Sequence, residues 1–274
     1  MMNSLRIYGV NYAASGEAAS AAETSWASML SSNLGMKLVN KALDGSSTEY
    51  AIKQLLSDVR SGKIMPGDVV VYVPMHMGRL HFRHQNSVAP KTAALYIHNS
   101  RYIDKSHTWY WDNQHHIEWW MNNVDRELLD INFEAYVQLV RTLAEGMSDN
   151  VFVVLPVYKS TINIPKTAAT SNFLMPDIEL FKVSERELIN QLFDVTLMEF
   201  VRYDARTNHL AIPNQVILSD LLYESIVNLD VSNISYDCFQ QRIMEKITNK
   251  RQYLDYVSKG YIHKRPWQLE WLPY

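Results

Sequence analysis

Residues 5–17 read LRIYGVNYAASGE, an apolar run that ends at Gly9 and gives way to a turn-like stretch of small residues. The aliphatic and aromatic side chains of the run favour a buried β-strand, and the glycine with the small residues after it favours a sharp turn. An edge where a strand passes into such a turn is where α/β enzymes often place a reactive side chain. Directly after this turn comes Asn11, whose carboxamide is not a nucleophile.

Strands and helices alternate along most of the chain, as the spacing of its apolar residues indicates. The run VVVYVP at 69–74 is continuously apolar, which is typical of a strand buried on both faces. Gly35 ends the first helix, and either Ser46 or Ser47 can cap the second. This alternation predicts a three-layer α/β fold, a parallel sheet with helices on both faces and ligands beyond the carboxyl ends of its strands. The other predicted strands are 36–42, 150–158 and 199–204, and the predicted helices are 18–34, 47–59, 127–145, 184–193 and 212–229.

The composition is that of an ordinary globular protein, with 47% hydrophobic and 20% charged residues among 274. A net charge of −3 gives no reason to expect nucleic acid or an anionic membrane as a partner. No apolar run approaches about 18 residues and no basic segment opens the chain, so we expect a soluble, non-secreted protein. The single cysteine, Cys238, excludes an internal disulfide framework and a cysteine-rich metal site, and we predict no metal and no cofactor.

Four stretches that lie at the ends of predicted strands follow one another in an order that is typical of a known protein family. Together they resemble the SGNH (GDSL-type) hydrolases, an α/β family of esterases and deacetylases, and especially divergent members that are often phage-encoded. The resemblance covers most of residues 5–229 and implies a flavodoxin-like sheet within a domain of residues 1–229, interrupted by an insertion at about 78–125 and followed by an extension at 230–274. The matching stretches are YGVNYAASGE…SW, LVNKALDGSSTEYAI, PGDVVVYVPMHMGRLHF and NHLAIPNQVILSDLLYESI.

The family's catalytic roles carry over to this chain only in part. The nucleophilic serine of the first block falls on Asn11, and the oxyanion-hole glycine of the second falls on Gly45. The general base of the last block matches His209. The aspartate that should precede it by three residues is replaced by Arg206, and the nearest aspartate, Asp204, lies two residues out of place.

The third block also departs from the family. It should supply an asparagine that completes the oxyanion hole, but the sequence there reads VPMHMGR. The polar residues that the four blocks offer to a ligand, a carbohydrate or an ester, are Asn11, Gly45, Ser46, His76 and Arg79.

The pattern predicts a site that has lost ester hydrolysis. Attack on a carbonyl needs a hydroxyl or thiol that a base can deprotonate, and a carboxamide has no such proton. Three alternatives stay open. Ser15 could serve if one residue is inserted in the turn, Ser46 or Ser47 could act beside Gly45, and Asp204 could turn towards His209. A nucleophile at Ser15, or at Ser46 or Ser47, together with His209 would leave an active esterase or O-acetyl hydrolase.

Residues 79–120 interleave six histidines and four tryptophans with basic residues. Such a segment suits an aromatic cap over the sheet edge, a binding surface for sugars or polyanions, or a protein interface. A metal site is a further reading, but the histidines form no clear ligand set.

The extension at 230–274 begins with a predicted helix at 236–256 and continues as KGYIHKRPWQLEWLPY. Four aromatic residues in these 16 positions are costly to leave in water, so the segment either folds back or docks on a neighbour. We therefore predict that residues 230–274 bind other protein subunits, copies of this chain or other components of a virion.

Overall fold

The fold is built on a sheet of five parallel strands. The computed structural model describes residues 3–10, 13, 25–43, 46–75, 79–81, 92–94, 126–157, 172–183, 210, 212–246 and 248–252. The strands of the sheet are β1 (Ser4–Gly9), β2 (Lys37–Asn40), β3 (Val69–Val73), β6 (Val151–Val154) and β7 (Phe173–Leu174), and β4 (Arg79–His81) pairs with β5 (Thr92–Ala94) in a separate antiparallel ribbon. The helices are α1 (Trp26–Leu34), α2 (Thr48–Arg60), α3 (Arg126–Gly146), α4 (Leu180–Val183), α5 (Ile212–Asn228) and α6 (Tyr236–Lys246).

The strands lie in the order β2-β1-β3-β6-β7, and every neighbouring pair is parallel. This is the order of the flavodoxin-like doubly wound sheet, in which the chain winds first to one side of β1 and then to the other. The α/β fold predicted from the sequence is therefore confirmed.

Alternate side chains of β3 face opposite layers of the molecule. Val69, Val71 and Val73 pack with α1, α5 and α6, whereas Val70 and Tyr72 pack with α2 and α3. All five residues are buried, which is why the run is apolar without interruption. The helices in these two sets of contacts form the two outer layers of a three-layer fold, with the sheet between them.

The fifth strand of the sheet is β7, which is only two residues long and was not predicted from the sequence. The strand predicted at 199–204 and the helix predicted at 184–193 lie outside the described residues. The cap of α2 is Ser47, whose side chain accepts from the Tyr50 N–H.

The hydrophobic core includes residues beyond Leu229, after which the predicted extension begins. In α6, Phe239 and Ile243 are completely buried, and with Ile234 they belong to the same core as α1 and α5. The helix predicted at 236–256 is confirmed for Tyr236–Lys246. Residues 230–246 therefore belong to the folded core.

Candidate functional site

Gly9 is the last residue of β1, and no side chain fits there without a shift of its neighbours. A Cβ at this position would lie 2.7 Å from the Cβ of Val73 and 3.0 Å from the Val73 carbonyl oxygen. The Gly9 carbonyl accepts from the Leu43 N–H at 3.2 Å and from the Ser46 hydroxyl at 3.1 Å. The first two family blocks therefore meet at this carbonyl.

The chain after β1 is held by Asn40, at the end of β2. The Asn40 carboxamide donates to the Ala13 carbonyl at 2.8 Å and accepts from the Ala42 N–H at 2.9 Å. The Ala13 N–H in turn donates to the Val10 carbonyl at 2.8 Å. Residues on both sides of Asn11 are thus fixed to the edge of the sheet, and Asn40 is a positioning residue that sequence reasoning missed.

Ser46 and Ser47 are both completely buried. The Ser46 hydroxyl donates to the Gly9 carbonyl, and the Ser47 hydroxyl caps α2. A serine nucleophile must present its oxygen to a substrate in the cleft. Both hydroxyls are therefore engaged in the packing of the edge rather than exposed to a substrate, and the predicted part of Ser46 in ligand binding stays a prediction.

Thr48 joins the start of α2 to the end of β3. Its hydroxyl donates to the Met75 carbonyl and accepts from the Met75 N–H at 2.9 Å. This pair fixes the chain at the residue before His76, where the third family block begins to depart from its pattern.

Gln215 makes the corresponding link on the other side of the sheet. Its carboxamide oxygen accepts from the Trp26 N–H at 2.9 Å, and its nitrogen donates to the Leu210 carbonyl at 3.2 Å. Leu210 is buried in the same core as α1 and α5. The residue that follows His209 in the sequence is therefore held beside the beginning of α1.

Most of the predicted site residues lie outside the described residues, so their meeting at this edge stays a prediction. For Arg79 the structure gives the backbone, which begins β4 and lies close to α2. The predicted residues that lie outside are Asn11, Ser15, Gly45, His76, Asp204 and His209.

A polar group that sequence reasoning missed lies between α2, β3 and α3. The Tyr72 hydroxyl and one carboxylate oxygen of Glu49 are buried, and within the part of the chain that the structure describes neither has a hydrogen-bond partner. Burial and the charge of Glu49 raise the pKa of Tyr72 well above its ordinary value, and the same two causes raise the pKa of Tyr136. Glu49 escaped notice because an acidic residue in the first turn of a helix already has an ordinary role there.

The same helix is anchored further along by Asp58, which is completely buried. The Tyr8 hydroxyl donates to its carboxylate at 2.8 Å and the Lys41 ammonium donates at 2.7 Å. Burial acts to raise the pKa of Asp58, but the hydrogen bonds from Lys41 and Tyr8 and the charges of Lys41 and Lys63 outweigh it and lower the pKa. Burial and the bond to Asp58 raise the pKa of Tyr8. This carboxylate therefore holds α2 on the sheet.

Among the residues that the structure describes, no three histidine, cysteine or acidic side chains are grouped as a metal ion would require. In the same ranges, no helix combines the length and apolar character needed to cross a membrane.

Comparison with known proteins gives one match of fold. No family model matches this sequence, and no curated protein matches it. Among solved structures, the chain is similar to a protein from Desulfitobacterium hafniense DCB-2 that is described as lipolytic and of the G-D-S-L family. The identity is 14% and the TM-score 0.42, over 82% of this chain and 99% of that one. At this similarity the match carries no argument about function, and the fold is assigned from the strand order of the chain itself. That fold is a five-stranded, doubly wound α/β sheet, the class to which the SGNH (GDSL-type) hydrolases belong.

Proposed function

We propose that this protein is an SGNH-like α/β protein that no longer hydrolyses esters and acts in binding or assembly. The observation that supports the loss of hydrolysis is the state of the hydroxyls at the carboxyl edge. Ser46 and Ser47 are buried and engaged, and the family's nucleophile position is Asn11. Removing one member of a catalytic triad lowers the rate by about 10⁴–10⁶-fold, so an edge without an activated hydroxyl has lost nearly all of its turnover.

The alternative is an active esterase or O-acetyl hydrolase that uses Ser15 with His209. Ser15 is favoured over the other candidates because the hydroxyls of Ser46 and Ser47 are already occupied. In this alternative Asp204 orients the ring of His209, as a triad requires.

A site that has lost catalysis can still bind a ligand. The carboxamide of Asn11 can donate and accept hydrogen bonds, so it can hold a hydroxyl-bearing ligand such as a carbohydrate, or an ester without turnover.

The assembly part of the proposal rests on the segment at 253–274. Six of its 22 residues are tyrosine or tryptophan, and residues 230–246 before it are already part of the core. Burying one large aromatic side chain contributes about 1.5–3 kcal/mol, so several together offset the entropy lost on association. Because divergent SGNH-like proteins are often phage-encoded, we propose a virion as the assembly.

The position of α6 sets the boundary for a test by truncation. A chain ending at Gln252 keeps Phe239 and Ile243, whereas one ending at Leu229 removes core residues. We expect the full chain to self-associate in analytical ultracentrifugation and the 1–252 chain to be a folded monomer with an unchanged circular dichroism spectrum. Equal sedimentation of the two folded chains would contradict the role of the segment.

A further inference from the structure

The surface formed by α5 and α6, residues 212–246, is unusually apolar. Val227 and Met244 are each 58% exposed. Tyr223 on α5 and Leu229, directly after α5, are also exposed, so half of the large hydrophobic side chains that the described part of the chain exposes lie within residues 212–246. We call this the α5–α6 surface. Exposed apolar residues concentrated in one place indicate an interaction site.

The α5–α6 surface is also acidic. Residues 212–246 contain five acidic and two basic residues. One of the two basic residues, Arg242, is engaged with the Glu224 carboxylate at 2.7 Å, which joins the two helices. Asp237 and Glu245 flank Met244 in a shallow depression along α6 whose other lining residues are Gln240 and Gln241. The occupant of this surface should therefore combine apolar bulk with positive charge.

The segment at 253–274 has this chemistry. Lys259, Lys264 and Arg265 lie within seven residues that contain no acid, and aromatic residues flank them on both sides. Its 22 residues span up to about 70 Å when extended, which is several times the roughly 16 Å length of an 11-residue helix such as α6. Only residues 247–252 separate the segment from α6, so its length allows it to reach the surface of its own chain or that of a neighbour.

We propose that the α5–α6 surface is the docking site of the segment at 253–274. This inference deepens the proposed function, because it names the surface that receives the segment in an assembly. Each copy carries one segment and one surface. Reciprocal exchange between two copies therefore closes a two-fold dimer, whereas one-way donation from copy to copy makes a head-to-tail contact that closes into a ring or continues as a filament.

Photo-crosslinking of the full chain tests the docking. The photoreactive residue p-benzoylphenylalanine is placed at Met244, and in a matched control at Met65, an exposed methionine outside the α5–α6 surface. After irradiation, peptide mass spectrometry should find Met244 joined to peptides of 253–274 and Met65 joined to none of them. Adducts at Met244 that exclude this segment, or equal yields from both positions, would overturn the proposal.

Mixing protein of two isotopic compositions distinguishes docking within one chain from docking between copies. In an equal mixture of ¹⁴N and ¹⁵N protein, adducts of mixed mass mean docking between copies, which supports both proposals. Adducts of unmixed mass mean docking within one chain, which supports the surface and contradicts assembly through it.

Charge reversal adds a second measurement. The pair Asp237→Lys and Glu245→Lys should lower the yield at Met244 at least threefold in low salt, since attraction between exposed charges is strongest there. The exposed Asp149→Lys should leave the yield unchanged. Equal yields from the two variants would overturn recognition by charge.

Discussion

Asp58 shows at the scale of one residue how the edge of this sheet is kept in place. Its carboxylate is buried on α2 and accepts hydrogen bonds from Tyr8 on β1 and from Lys41, just beyond β2. A buried charge is costly unless it is paired, and here one partner lies on β1 and the other directly after β2. The carboxylate therefore stabilises the native packing of α2 as long as it is ionised.

We expect Asp58→Asn to destabilise the protein by about 2–3 kcal/mol at neutral pH, because it replaces charged hydrogen bonds with neutral ones. The native pKa of Asp58 lies below its usual 3.8, so the contribution is complete above that value and is lost as pH falls through the native pKa. Urea unfolding from neutral pH down to about pH 3 should show the difference between variant and wild type shrinking. A gap that stays constant with pH would contradict this role, and the exposed Asp149→Asn is the control.

At the scale of an element, α6 divides into a buried and an exposed side. Phe239 and Ile243 are four residues apart and lie in the core, whereas Met244 is exposed beside them. The sequence predicted the helix from this periodicity, but it left open whether the extension folds back or docks on a neighbour, because nothing in a single sequence says which body an apolar stripe packs against. Contact with α5 decides that question.

We expect Phe239→Ala to cost about 3–5 kcal/mol, the range for removing a large buried side chain. Met244→Ala, on the other side of α6, should change the free energy of unfolding by less than about 0.5 kcal/mol. Denaturant unfolding of the two variants measures both. Similar small changes would mean that α6 is not part of the core.

The length and burial of each element explain whether the sequence predicted it. The strand at 69–74 was evident because both of its faces are buried, and the end of β1 because only glycine fits beside Val73. The two-residue β7 is too short to show a period. Asn40, Thr48 and Tyr72 escaped notice because each acts through contacts with residues far away in the sequence.

At the scale of the whole molecule, two regions remain once the core is formed. One is the carboxyl edge, where Asn40 and Thr48 hold the turn after β1 and the end of β3 in place and where the Ser46 and Thr48 hydroxyls are engaged with the backbone. The other is the α5–α6 surface, which is acidic and exposes apolar side chains. Our proposal of binding without turnover depends on both regions.

Reaction of the full chain with a fluorophosphonate probe tests this account most directly, because the probe labels an activated serine whatever the substrate. A serine is labelled only when a base draws off its proton and the oxygen is exposed. We expect the full chain to be labelled no more than the heat-denatured chain. A serine esterase is the positive control. Labelling above that level that disappears in both Ser15→Ala and His209→Ala would contradict the account and establish a working site at Ser15.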